Sequence, residues 1–113
     1  MARSGKRGSK GKGPDGDRQA NLICALNHRL RRRLLRLLQA SGGPCSPARL
    51  AETLDESLSN VSYHIKVLVG FEAVKRAGEE QVRGTIEHFY LPTVGDNAPI
   101  QALLEETRGS DEV

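Results

Sequence analysis

Tryptophan is absent, and two Tyr with two Phe are the whole aromatic complement of 113 residues. A core without large rings must come from Leu, Val, Ile and Ala, and a chain this short then draws on a second copy for extra burial. Cysteine is scarce too. Cys24 and Cys45 allow one disulfide at most, which excludes a disulfide-stapled scaffold. In a chain with no secretory signal both thiols are expected reduced, with Cys24 packed as a small hydrophobe and Cys45, in a Gly-Pro loop, exposed and the better redox sensor. No apolar run is long enough to cross a bilayer, so the expected location is cytoplasmic. His28, His64 and His88 are scattered, and no Ser/His/Asp, paired-carboxylate or phosphate-cradling Gly arrangement accompanies them. The sequence supports no catalysis and calls for no cofactor.

Charge is present in quantity but unevenly placed. Residues 1–49 hold twelve Lys/Arg and two Asp, whereas residues 50–113 hold five Lys/Arg and twelve Asp/Glu, so a net +3 conceals +10 against −7. Residues 1–17 are rich in Gly, Ser, Lys and Arg without an apolar run, the composition of a disordered basic arm that can lie along phosphates. Arg31, Arg32, Arg33 and Arg36 line the polar side of a Leu-rich stretch and are further candidates for backbone phosphate.

Three helices are legible from period and caps. Asn27 is the expected cap of a helix over residues 28–40 with Leu30, Leu34, Leu37 and Leu38 as its stripe, stopped by Ser41-Gly42-Gly43-Pro44. Ser46 caps a short helix with Pro47 in the first helical position and Leu50, Ala51 and Leu54 on one side. After the two residues Asp55-Glu56, Ser57 caps a third helix. At about 100° per residue, Leu58, Val61, Ile65 and Leu68 share one arc, while Ser59, Asn60, Tyr63 and Lys66 point away. Two amphipathic helices joined by so tight a turn form a helix-turn-helix unit. Ser, Asn and Tyr are mediocre helix formers, and an ordinary solvated face would carry Glu/Lys pairs instead. Such a face suits a helix that reads nucleic-acid bases.

Downstream the period changes from 3.6 to 2. Val74-Lys75-Arg76 and Thr85–Leu91 read as two strands, with Gly78 and Gly84 in the loop between and Arg83 near the tip. Pro92 ends the second strand. Residues 98–108 suggest a last helix stopped by Gly109. Leu22, Ile23 and Leu26 at one end, and Ile100, Leu103 and Leu104 at the other, are apolar residues the central motif does not require, and they are expected to form a dimer interface.

In this order, residues 25–35, Pro47–Glu52, Leu58–Leu68 and a hairpin closing on Glu87-His88-Phe89-Tyr90 resemble the ArsR/SmtB-like winged helix-turn-helix transcription regulators, over roughly residues 22–92. The resemblance implies a mainly α fold with a small β-hairpin wing (α+β), a homodimer, a third helix in the major groove, and repression of transcription. Two departures stand out: the wing is long, and the family's usual Gly-Leu-Val entry into it reads Phe71-Glu72-Ala73-Val74. The family's metal sites have no match either, since Leu50–Leu54 lacks the Cys-x-Cys pair and residues 98–108 lack His, and Glu105 with Glu106 does not select a transition metal.

The expected organisation is a basic arm over residues 1–17, a winged helix-turn-helix domain with terminal dimerisation helices over 18–108, and a disordered acidic tail over 109–113. Ser59, Asn60, Ser62 and Tyr63 are expected to face bases, and His64, Lys66 and Arg83 to hold phosphates of double-stranded DNA. The competing expectation is a winged-helix protein-interaction module whose acidic C-terminal half suits a basic partner.

Overall fold

The computed structural model describes residues 14–112. Its elements run α1 (Pro14–Ala25), α2 (Arg29–Ser41), α3 (Pro47–Leu54), α4 (Leu58–Gly70), β1 (Val74–Val82), β2 (Thr85–Pro92) and α5 (Ala98–Asp111). None of the helices described is long and apolar enough to cross a membrane.

Local chemistry sets most of the helix ends. The Ser46 hydroxyl accepts from Arg49 N at 3.3 Å with Pro47 opening α3, and the Ser57 hydroxyl accepts from Asn60 N at 3.2 Å. Gly42, at φ 75°, ends α2 in the left-handed conformation that costs glycine least. Asp55 takes the left-handed position (φ 56°) in the α3–α4 turn, which a short polar side chain tolerates better than a branched one. The cap of α2 differs from expectation. His28, not Asn27, fills it, its Nδ1 accepting from Leu30 N at 3.2 Å.

The core is aliphatic. Leu30, Leu34, Leu35 and Leu38 of α2 meet Leu50 and Ala51 of α3, Val61, Ile65 and Leu68 of α4, and Val74 and Tyr90 of the hairpin. Leu22 of α1, Leu26 just beyond its end, and Ile100 and Leu104 of α5 are buried in the same cluster. That corrects the proposed dimer surface: four of its six residues complete this chain's own core, leaving Ile23, 48 % exposed, and the partly buried Leu103. A small helical core without Trp needs both terminal helices to close it.

The hairpin is longer than the sequence suggested. β1 and β2 pair antiparallel from Val74↔Pro92 to Val82↔Thr85, with a bulge between Arg76 and Gly78. Residues 77–82, expected as loop, are strand. They carry no alternating apolar pattern because nothing covers them, and their pairing comes from the backbone ladder with β2. Arg83 (φ 54°) and Gly84 (φ 80°) form the two-residue turn, the paired left-handed conformations of a type I′ hairpin. On the other side of β2, Cys45 N donates to Tyr90 O at 3.1 Å and Tyr90 N to Cys45 O at 2.9 Å. This bridge buries Cys45, while Cys24 is exposed, which reverses the expected accessibility of the two thiols.

Both ends are more ordered than composition implied. α1 takes in residues 14–17, which the sequence assigned to the arm; Leu22 and Leu26 anchor it, and Gln19 and Asn97 exchange amide hydrogen bonds at 3.2 and 2.9 Å. The rest of the arm, residues 1–13, lies outside the described residues. α5 runs through Gly109 to Asp111, so the expected tail is largely helix. The reason is electrostatic. Asp111 is buried, accepting from Arg32 Nε at 2.7 Å and Arg32 Nη2 at 2.9 Å, and from Arg36 Nη2 at 2.8 Å.

Candidate nucleic-acid interface

α3 and α4, joined by Asp55 and Glu56, stand in the helix-turn-helix arrangement, and α4 presents the candidate face. Its buried residues are Val61, His64, Ile65 and Leu68. The apolar stripe expected from spacing had Leu58 in place of His64. The helix is thus turned about its axis relative to that expectation, bringing His64 in and leaving Leu58 53 % exposed.

Side chains of α2 and its cap explain the turn. Arg31 Nε donates to His64 Nδ1 at 3.2 Å, and the ring of His28 lies 4.3 Å from that of His64, centroid to centroid. Tyr63 meets the His64 ring edge-on at 5.0 Å. Burial, then the neighbouring His28 and Arg31, push His64 below the ordinary imidazole pKa, with Glu56 opposing; loss of water, then Arg31 and Arg32, lower His28 likewise. His64 therefore sits behind the helix as a neutral packing residue. It does not border the outer face, and its assignment to a phosphate is withdrawn.

The other sequence-derived residues of α4 divide by flank. Ser59, Asn60, Tyr63 and Lys66 are exposed, Tyr63 at 60 %. Asn60 Nδ2 donates to Glu56 Oε1 at 3.3 Å, an exposed contact on the flank away from the hairpin. Ser62 is half-buried, turned toward a groove of about 310 Å³ between the start of α3, α4 and β2, whose walls include Pro47, Leu58, Lys66, Ile86 and Tyr90. Arg83 is exposed at the hairpin tip, well separated from α4 in sequence but on the element that adjoins it. Glu79 and Glu80 are exposed along β1, and His88 Nδ1 lies 3.3 Å from Glu79 Oε1.

The arginines of α2 are committed elsewhere. Arg32 and Arg36 hold Asp111, Arg33 pairs with Glu112 at 3.2 Å, and Arg36 also donates to Leu104 O at 3.0 Å and to Thr107 Oγ1 at 2.6 Å. Arg31 donates to Ala25 O at 3.1 Å besides His64. The Asp111 carboxyl is held far below its ordinary range, chiefly by the Arg32 hydrogen bond and then by Arg36, against the opposing cost of burial. These guanidinium groups close the protein rather than face a phosphate backbone. The partners of Arg32, Arg33 and Arg36 lie 68 to 79 residues away, a separation at which no helical or strand period signals pairing. Among the described residues, no three His, Cys, Asp or Glu side chains come together as a metal-ligand group.

Residues 26–75 match the model of a helix-turn-helix domain, and no curated protein matches the chain. A possible transcriptional regulatory protein from Mycobacterium bovis (fragment 1–100) superposes with a TM-score of 0.63 at 19 % identity, over 90 % of this chain and 99 % of that one. A solution structure from the same organism superposes with a TM-score of 0.65 at 20 % identity, over 99 % of this chain and 91 % of that one. It is described as the homodimeric winged helix-turn-helix DNA-binding domain of a possible ArsR-family transcriptional regulator. A possible transcriptional regulator from Methanosarcina mazei Go1 gives 0.58 at 16 % identity, over 81 % and 79 %. With its hairpin following α4 directly, the chain has a helix-turn-helix domain in the winged helix-turn-helix fold of that Mycobacterium bovis domain.

Proposed function

We propose that the chain is a sequence-specific double-stranded DNA-binding transcriptional regulator, acting as a homodimeric repressor without the family's usual metal-sensing sites. One observation carries this reading: α4, the second helix of the motif, turns Ser59, Asn60 and Tyr63 to solvent within its first two turns, with Lys66 following. The N-terminal turns of such a helix are what reach base edges in the major groove. Asn60 is suited to adenine, whose N6 and N7 it can engage bidentately once released from Glu56, and Tyr63 offers a hydroxyl and a ring edge. Ser59 and Ser62 supply adaptable hydroxyls. Lys66 and Arg83 hold phosphates on either side, and His64 positions the helix from behind.

Homodimerisation is supported by the homodimeric Mycobacterium bovis domain and by the exposed Ile23 of α1 and the partly buried Leu103 of α5. A two-fold protein implies a palindromic site with half-sites about 34–36 Å apart or a multiple of it. The test is a gel shift of the full chain against genomic fragments with competitor DNA. A retarded band that survives competitor and yields a palindromic footprint is expected. Loss of every band to competitor would favour a protein-docking role, for which the exposed Glu79 and Glu80 of the wing are the supporting observation.

A further inference from the structure

Leu58 is the one large apolar residue in the first turn of α4, and it has been turned out of the core: His64 occupies the buried stripe, and Leu58 remains 53 % exposed. Leu58 and Ile86 of β2, 56 % exposed, line one groove of about 310 Å³ with Pro47 and Tyr90, and Lys66, Glu87 and His88 add polar groups to its walls. Exposed Leu and Ile lining one gap form a small apolar strip that a single apolar group of a ligand can cover. Ser59 adjoins Leu58 in sequence, and Ser62 lines the same groove one turn on, so the apolar strip is continuous with the face proposed to meet base edges.

Resting on the DNA-binding reading above, we infer that Leu58 is a specificity-determining residue that reads the 5-methyl group of a thymine, with Ile86 shielding that contact from the wing side. The chemistry narrows the choice. Along the major groove, base edges present donors and acceptors throughout, and the thymine methyl is the single apolar group among them. A leucine at the entry of the reading helix, flanked by two serines, matches a methyl flanked by polar edges. Lys66, exposed in the groove wall, suits the polyanionic strand beside that base, while the half-buried Glu87 of β2 keeps that strand to the α4 side.

The experiment uses the full chain and a preferred site selected from a random duplex pool. Each thymine of that site is replaced in turn by 2′-deoxyuridine, which removes only the methyl, and affinities are measured by gel shift for wild type and Leu58→Ala. The expected result is one thymine per half-site whose replacement weakens wild type about fourfold, the size of one buried methyl group. Leu58→Ala should bind the thymine and uracil sites equally, with an unchanged melting temperature because the side chain is already largely exposed. Wild type indifferent to every replacement overturns the inference while leaving DNA binding intact, as does a Leu58→Ala variant that still discriminates. A pool that yields no preferred site overturns both. A Leu58→Ala variant with normal discrimination but altered sedimentation assigns the groove to a second copy of the chain and overturns the inference as well.

Discussion

α2 and α4 each offer a polar face over an aliphatic one, and they use it in opposite ways. α2 carries the denser positive charge, Arg31, Arg32, Arg33 and Arg36, yet those guanidiniums are engaged within the chain by Asp111, Glu112, His64 and main-chain carbonyls. α4 carries one Lys and several neutral polar groups, and those project to solvent. Formal charge along a sequence is therefore a poor guide to the charge available to a partner: the acidic C-terminal turn returns to cover the basic helix. Asp111 sits on α5 near its end, where a carboxylate opposes the helix dipole, and Arg32 and Arg36 offset that placement.

The sharpest way to break this contrast is Asp111→Ala. Arg36 would lose its buried carboxylate and keep only that of the more exposed Glu112, at 3.3 Å, and removal of one partner of a buried pair costs about 3–5 kcal/mol. Urea unfolding should show that loss, while DNA affinity of the folded fraction stays near wild type because the pair lies away from α4. The converse variants, Asn60→Ala and Tyr63→Ala, should leave the urea midpoint unchanged and cost about 1–3 kcal/mol of specific affinity each. Unchanged operator affinity in both would remove α4 from recognition.

Smaller effects separate the two helices by pH. His28 and His64 both have pKa values below the ordinary imidazole value, so above about pH 7.5 they are neutral in folded and unfolded chains alike and contribute no pH dependence. As pH falls below that, the unfolded chain takes up protons that the folded one resists, and stability should decline. Asp111 behaves differently. Its folded pKa is depressed, so its contribution is complete above about pH 4 and is lost only as pH falls further toward the folded value. Melting temperatures between pH 7.5 and 5.5 should therefore drop slightly for wild type and less for His64→Gln. A drop of equal size in both would assign the effect to other groups.

The smallest expected effect concerns the proposed arm. Deleting residues 1–13, which include five Lys/Arg, should leave the melting temperature unchanged and weaken specific and non-specific DNA alike. The slope of log affinity against log salt should shrink by about 0.9 for each phosphate that the arm neutralises. An identical slope would assign all phosphate neutralisation to the folded domain, where Lys66 and Arg83 are exposed.

Much of the architecture was legible from neighbouring residues alone. Ser46 with Pro47, Ser57, and Gly42 announce helix ends because a cap acts on main-chain groups within three residues, and the Leu spacing of α2 marks its buried side because one helix repeats every few residues. The exposed Ser59, Asn60, Tyr63 and Lys66 followed from the same periodicity. Other assignments depended on what an element packs against. Leu58 and His64 lie near opposite edges of the α4 stripe, and the rotation that buries one of them is chosen by Arg31 and His28 of a different helix and its cap. Cys45 is buried by a bridge to Tyr90, and Arg36 by a carboxylate 75 residues away. Capping and hydrophobic period are local properties of the backbone, so the sequence by itself determined α2 to α5, their order and the presence of a hairpin after α4. Which polar group is buried depends on a partner brought near only by the closing of the core, so tertiary structure alone decided the rotation of α4, the neutralisation of α2 and the surface left open to a ligand.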